Sequence, residues 1–195
     1  MAEVELPNTE ELAEARGKRF TKRVALTTAI FAVLLAISSL GGNNATKEML
    51  LSQQQASDQW AFYQSKAVRQ HLYGIEKMRI EADLLKTGSS VKPQARGKYE
   101  AILKKASDEE RRFDAEKKKI EQDARQLERE RDRYRTKDPY FDYAEVLLQI
   151  AIVMASISIL VVSRHIFYFA LAAAGLGTVF MLNGYLLLFR IPFFH

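Results

Sequence analysis

The sequence predicts an all-α membrane protein: three transmembrane helices with a long antiparallel coiled-coil hairpin between the first and the second. Three observations carry that expectation. Val24 to Gly42, Val146 to Val162 and Ile166 to Phe189 contain no Asp, Glu, Lys, Arg or His. The stretch from Gly41 to Tyr143 holds 22 Lys/Arg and 18 Asp/Glu. Within it, apolar residues recur at alternating steps of three and four. The chain averages, 48% hydrophobic and 27% charged, would suit a soluble domain, so segregation along the chain decides the solvent, not the mean.

Helices of about 19 to 24 residues at ~1.5 Å per residue reach ~28 to 36 Å, enough for a hydrocarbon core of ~30 Å. The charged stretch must stay in water, because each Lys, Arg or Asp at mid-bilayer costs ~2.5–3.5 kcal/mol. The expected organisation is a basic cytoplasmic helix over 1–23, spans over 24–42, 144–162 and 166–189, an extramembrane hairpin over 43–143, and a tail over 190–195. Asn8 with Glu11 offers a capping box for the first helix. A cleavable signal peptide is the competing reading of this end, but the apolar run is longer than the ~7–15 residues of an h-region.

The net charge of +5 is explained by position rather than by nucleic acid. Arg16, Lys18, Arg19, Lys22 and Arg23 directly precede the first span, and a basic cluster there orients a span with its amino terminus in the cytoplasm. The hairpin is then periplasmic. Only Ser163, Arg164 and His165 join the second and third spans, which returns Arg164 to the cytoplasmic face and leaves the carboxy terminus outside. Aromatic residues, including Tyr140, Phe141, Tyr143, Phe167, Tyr168, Phe189, Phe193 and Phe194, fall where interfacial belts are expected.

In the hairpin, one helix is expected from about Thr46 to Leu85 and another from about Pro93 to Arg135, broken at Gly88, Ser89 and Ser90. Asp138-Pro139 is expected to separate the second arm from the second span. The second arm carries a heptad seam of Tyr99, Leu103, Ala106, Phe113, Ile120, Ala124, Leu127 and Tyr134, with Glu110, Lys117 and Arg131 interrupting it. In the first arm, Leu50, Ala61, Val68, Ile75, Met78, Ala82 and Leu85 share a register with Gln54, Ser57, Gln64 and His71, and this face is expected to meet the second arm. Trp60, Phe62, Tyr63 and Tyr73 then crowd several other faces, and large aromatics left over for another surface read as an interface.

Small residues stripe all three spans: Ala25, Ala29, Ala32, Ala36 and Ser39; Ala151, Ala155 and Ser158; Ala170, Ala174, Gly177 and Gly184. Such seams let helix backbones approach closely in lipid. Asn183 is expected to make one helix–helix hydrogen bond. Catalytic, cofactor and metal sites are not expected. There is no cysteine, the three histidines match no ligand spacing, and no phosphate loop or nucleophile elbow is present.

The run Ala56-Ser57-Asp58-Gln59-Trp60-Ala61-Phe62-Tyr63-Gln64-Ser65-Lys66, followed by Gln70-His71-Leu72-Tyr73, resembles the central motif of a bacterial membrane protein family, domain of unknown function 4337. The likeness extends over nearly the whole chain. It implies a bacterial inner membrane and transfers no catalytic residue. The expected role is a non-enzymatic structural or accessory subunit whose partners are the lipid bilayer and copies of itself or a larger membrane complex, with no nucleic acid and no small-molecule substrate. An oligomeric pore is the alternative, although the spans hold no ionisable residue to line one. A membrane enzyme subunit comes third.

Overall fold

The computed structural model describes residues 9–87 and 93–189, with side chains over 17–86 and 94–189. The Asn8–Glu11 box, the Arg16 side chain, the turn at Gly88-Ser89-Ser90 and the tail with Phe193 and Phe194 lie outside the described residues. The described residues form three helices, α1 (Thr9–Thr87), α2 (Pro93–Val161) and α3 (Arg164–Leu186). All three contain stretches long and apolar enough to cross a membrane. The chain divides into two units, one of residues 1–49 and 133–195, the other Leu50–Asp132.

The break expected at Asp138-Pro139 is absent, and the first span and the first arm, expected to end at Gly42 and to start near Thr46, form one helix. α1 continues through Gly41-Gly42, and α2 continues through Pro139. Each glycine costs about 1 kcal/mol of helix propensity against alanine, and an interior proline about 3. Packing offsets both. A Cβ on Gly41 would lie 2.5 Å from the Phe141 ring and 2.7 Å from the Tyr185 hydroxyl. On the other helix, Tyr140, Phe141 and Ala144, all within five residues of Pro139, are buried. Thr46 Oγ1 donates to Asp138 beside the proline, at 2.8 Å.

In the first unit each helix presents one stripe to the others. α1 buries Val24, Phe31, Ser38 and Ala45, one residue every seven. Within the chain its small seam is not used: Ala25, Ala29, Ala32 and Ala36 are exposed, and Val24 and Phe31 occupy the packed face instead. α2 buries Ala144, Leu148, Ala151, Ala155 and Ser158, and α3 buries Ala170, Ala174, Gly177, Met181 and Gly184. A Cβ on Gly177 would come within 3.1 Å of the Ala144 carbonyl oxygen and the Leu148 side chain.

Phe141, expected in an interfacial belt, sits at the centre of this packing. It is 2% exposed, lies edge-on to Tyr185 at 4.9 Å between centroids, and fills the notch that a Cβ on Gly184 would enter at 2.9 Å. Ser38 Oγ donates to its carbonyl oxygen across 103 residues of chain.

Both ends of the apolar α2–α3 pair are closed by backbone geometry. The Ser163 N–H reaches the Ser158 carbonyl at 3.1 Å and the Val162 N–H reaches that of Ile159 at 3.4 Å, the paired bonds of a Schellman turn. Its left-handed position is Val162, φ 53°, where a β-branched residue is strained. At the other end, Leu187, φ 50°, donates to the Asn183 carbonyl at 2.7 Å. Asn183 makes no helix–helix bond. Its amide clasps the Phe189 backbone, donating to the carbonyl and accepting from the N–H at 2.8 Å each. Tyr140 Oη donates to the same carbonyl at 2.9 Å.

In the second unit the two helices run antiparallel, as their contacts show. Gln53 meets Arg131, Trp60 meets Glu128, Tyr73 stacks on Phe113 and Lys77 meets Glu110. The α2 arm uses the seam read from its sequence, with Ala106, Phe113, Ile120 and Ala124 buried. The α1 arm does not. Its inward face is Ser52, Ala56, Trp60, Tyr63, Lys66, Gln70, Tyr73 and Ile80, and the seam expected there faces outward. Across this interface Lys66 donates to Glu116 at 2.6 Å and Lys117 to Gln70 at 2.7 Å. Residues that bridge two charged arms are therefore preferred inside over purely apolar ones. Along α2, Asp114 pairs with Lys118, Glu121 with Arg125, and Arg112 with Glu109 and Glu116.

Four substitutions test this account. Gly41→Ala should destabilise the full chain in detergent by about 1–3 kcal/mol as an overpacking change, and Phe141→Leu in the same background should restore part of that loss. Val162→Gly should raise thermal stability by about 1 kcal/mol through relief of left-handed strain, and an unchanged melting curve would refute the strain. Trp60→Ala should cost about 2–4 kcal/mol as the loss of a large, hydrogen-bonded side chain between the arms, measured by thermal unfolding of the full chain.

Candidate interaction surface on α1

A helix that buries one stripe has the rest of its circumference free, and polar residues normally fill it. The Leu50–Lys86 part of α1 departs from that rule. Its outward residues follow an unbroken alternation of four and three: Leu50, Gln54, Ser57, Ala61, Gln64, Val68, His71, Ile75, Met78, Ala82 and Leu85. The half nearer Met49 is mostly polar. The other half is apolar and open: Val68, Ile75 and Met78 are each about three-fifths exposed, Leu72 beside them is 60% exposed, and Leu85 is 83% exposed.

Charges flank this stripe in a pattern of their own. Glu81 and Lys86, both exposed, occupy the positions before and after the seam and are five residues apart. In a parallel heptad pair, that is the separation that brings opposite charges of two helices together. On the inward side, Lys66 and Glu116 form an ion pair between the arms at 2.6 Å, and the ammonium holds that carboxyl below its ordinary value. The same ammonium lies 5.0 Å from the Phe62 ring and 5.3 Å from that of Phe113.

The residues singled out in the sequence fall in different places. Phe62 is half exposed. Trp60, Tyr63 and Tyr73 are not, since they turn toward α2: Trp60 Nε1 donates to Glu128 at 3.0 Å, Tyr63 packs on Trp60 at 5.5 Å and Tyr73 on Phe113 at 5.8 Å. The exposed cluster of large aromatics therefore does not exist, because the register of the first arm is rotated from the one expected. Ala170, Ala174, Gly177 and Gly184 are buried against helices of the same chain. Lys18, Arg19, Lys22, Arg23 and Arg164 are exposed. What sequence reasoning missed is that α1 carries two usable seams. The signal was present, since Ser52, Ala56, Gln59, Tyr63, Lys66, Gln70 and Tyr73, small, amide, aromatic and cationic residues, repeat with the same period as the apolar stripe.

Among the described residues, no three His, Asp or Glu side chains come together as a metal site. A family model described as "Domain of unknown function (DUF4337)" matches residues 20–187. Comparison with curated proteins finds no match, and neither does comparison with solved structures. Because the match runs from the basic turn of α1 through both arms of the hairpin to the end of α3, the chain belongs to the DUF4337 family, a domain of unknown function.

Proposed function

We propose that the protein is a non-enzymatic structural subunit of the bacterial inner membrane, which assembles with copies of itself through the outward seam of α1. The apolar stretches of the three helices support the membrane part of this reading. Only 22%, 28% and 28% of their most apolar windows are buried within the chain, and Leu26, Ile30, Val33, Val153, Leu160, Val179 and Leu186 are among the apolar side chains left open. Helices apolar around most of their circumference are at home in lipid. The basic turn before Val24 and Arg164 between the second and third spans favour a cytoplasmic amino terminus, a periplasmic hairpin and a periplasmic carboxy terminus.

The observation that carries the assembly reading is the heptad stripe from Val68 to Leu85, apolar and unpartnered in the single chain. Fully covering a side chain such as Ile75 or Met78 contributes about 1.5–3 kcal/mol. Copies inserted in one bilayer share an orientation, so the same stripe on two copies meets in parallel and in register, with Glu81 of one opposite Lys86 of the other. Anchoring in a common membrane also removes much of the translational freedom that association otherwise costs.

The absence of cysteine makes the contact directly measurable. Ile75→Cys and Met78→Cys, in membranes of expressing cells, should each give a disulfide-linked dimer on mild oxidation, since residues at a seam approach within the ~4.4–6.8 Å a disulfide requires. Lys105→Cys, exposed on the other arm, should not. Ile75→Glu combined with Leu72→Glu should abolish the Met78→Cys cross-link while leaving the chain resistant to alkaline carbonate extraction. Equal cross-linking at Ile75 and Lys105 would refute the seam, and extraction by carbonate would refute the membrane anchor.

A further inference from the structure

The α1 turn from Arg19 to Arg23 and the first turn of α3 enclose a cavity of about 270 Å³. It is lined by three arginines, Arg19, Arg23 and Arg164, and by Phe20, Phe167 and Tyr168. The aromatic part is ordered, since Phe20 and Phe167 meet edge to face at 6.0 Å and 85°. Both of these rings are half-buried, while the three arginines are exposed.

The charge arrangement is unfavourable by itself. Arg19 and Arg23 are four residues apart on one helix, a like-charged pairing that destabilises a helix, and Arg164 brings a third positive charge to the same opening. None of the three forms an ion pair with an acidic side chain among the described residues. An anion with several oxygens resolves this, and guanidinium groups match phosphate because they donate two parallel hydrogen bonds to it. The apolar side of the site says which phosphate. The uncharged run of α1 begins at Val24, one residue after Arg23, and that of α3 begins at Ile166, between Arg164 and Phe167. A ligand seated here has its phosphate among arginines and its remaining length along apolar helix.

We infer that this cavity binds the phosphate headgroup of an anionic phospholipid, with Arg23 and Arg164 as its principal contacts and the Phe20–Phe167 pair supporting the glycerol and upper acyl chains. The inference rests on the membrane reading given above, and its experiment separates the two. The full chain, purified in neutral detergent, is examined by native mass spectrometry with dioleoyl phosphatidylglycerol, with dioleoyl phosphatidylcholine, and with inorganic phosphate. The wild-type chain should retain phosphatidylglycerol about tenfold better than phosphatidylcholine, and Arg23→Gln with Arg164→Gln should bring the two lipids to near equality. Lys18→Gln with Lys22→Gln removes the same formal charge from the neighbouring face of α1 and should leave the preference in place.

Equal losses in the two double variants would mean that bulk positive charge, not the cavity, selects the lipid, and would overturn the inference. Displacement of phosphatidylglycerol by millimolar inorganic phosphate would assign the cavity to the free ion and also overturn it. A chain that resists carbonate extraction yet shows no lipid preference sinks the headgroup site alone, whereas a chain released by carbonate sinks the membrane reading beneath it.

Discussion

One aromatic side chain sets the approach of three helices. Phe141 enters the notch at Gly41 on one side and the notch at Gly184 on the other, and any side chain at either glycine would come closer to the ring than van der Waals contact allows. The rest of the first unit follows from that fit. The α1 stripe of Val24, Phe31, Ser38 and Ala45 is the face that lies toward α2 once Gly41 is seated on the ring. Gly177 and the small residues of α2 let the backbones converge on the line that Gly184 begins. Where lipid replaces water, apolar burial gives no net drive between helices, so close packing of this kind is the main source of cohesion.

The same fit explains why two helices run on where the sequence marks an end. A glycine pair and an interior proline are local stop signals, and local propensity is a weak prior that tertiary contacts override. Gly41 was legible as a residue that tolerates a turn; its use as a socket could be read only with Phe141 beside it, a hundred residues away. The uncharged lengths of the apolar segments, their number and the α2 seam of the hairpin were legible because each depends on residues close together in one element. Phe141 was not, since its neighbours Tyr140 and Tyr143 make a run that resembles an interfacial belt.

The first arm of the hairpin shows a different limit. Two stripes of the same period run along α1, and sequence patterning ranks them by hydrophobicity, which selects Val68, Ile75, Met78 and Leu85. The α2 arm selects otherwise, because Glu110, Glu116, Lys117 and Glu128 along its inner edge need donors, acceptors and cations opposite them. Trp60, Lys66, Gln70 and Lys77 supply these, and Tyr73 adds a flat surface for Phe113. These groups are only half-buried, and each keeps a hydrogen-bond or ionic partner when the more polar stripe turns inward, which leaves the more apolar one outside. The candidate surface was thus written in the sequence, but assigned to the wrong partner. The arginines around the Phe20–Phe167 pair were likewise visible as orienting charges, and their convergence on one cavity depends on the two-residue turn between α2 and α3.

The Ser38–Phe141 contact closes over 103 residues, and this has a consequence for biosynthesis. Chains emerge from the amino terminus at about 5–20 residues per second, so roughly 5–20 s separate the exit of Gly41 from that of Phe141. Throughout that interval the first apolar helix has an empty socket and no partner from its own chain. α2 and α3, joined through Val162 and Ser163, follow one another within seconds and can pair as soon as both are present. The nascent α1 is therefore the member open to foreign company. A helix from a neighbouring ribosome with a ring at the right height could occupy Gly41 first, which makes the rate of elongation through the charged hairpin a determinant of how faithfully this bundle closes on itself.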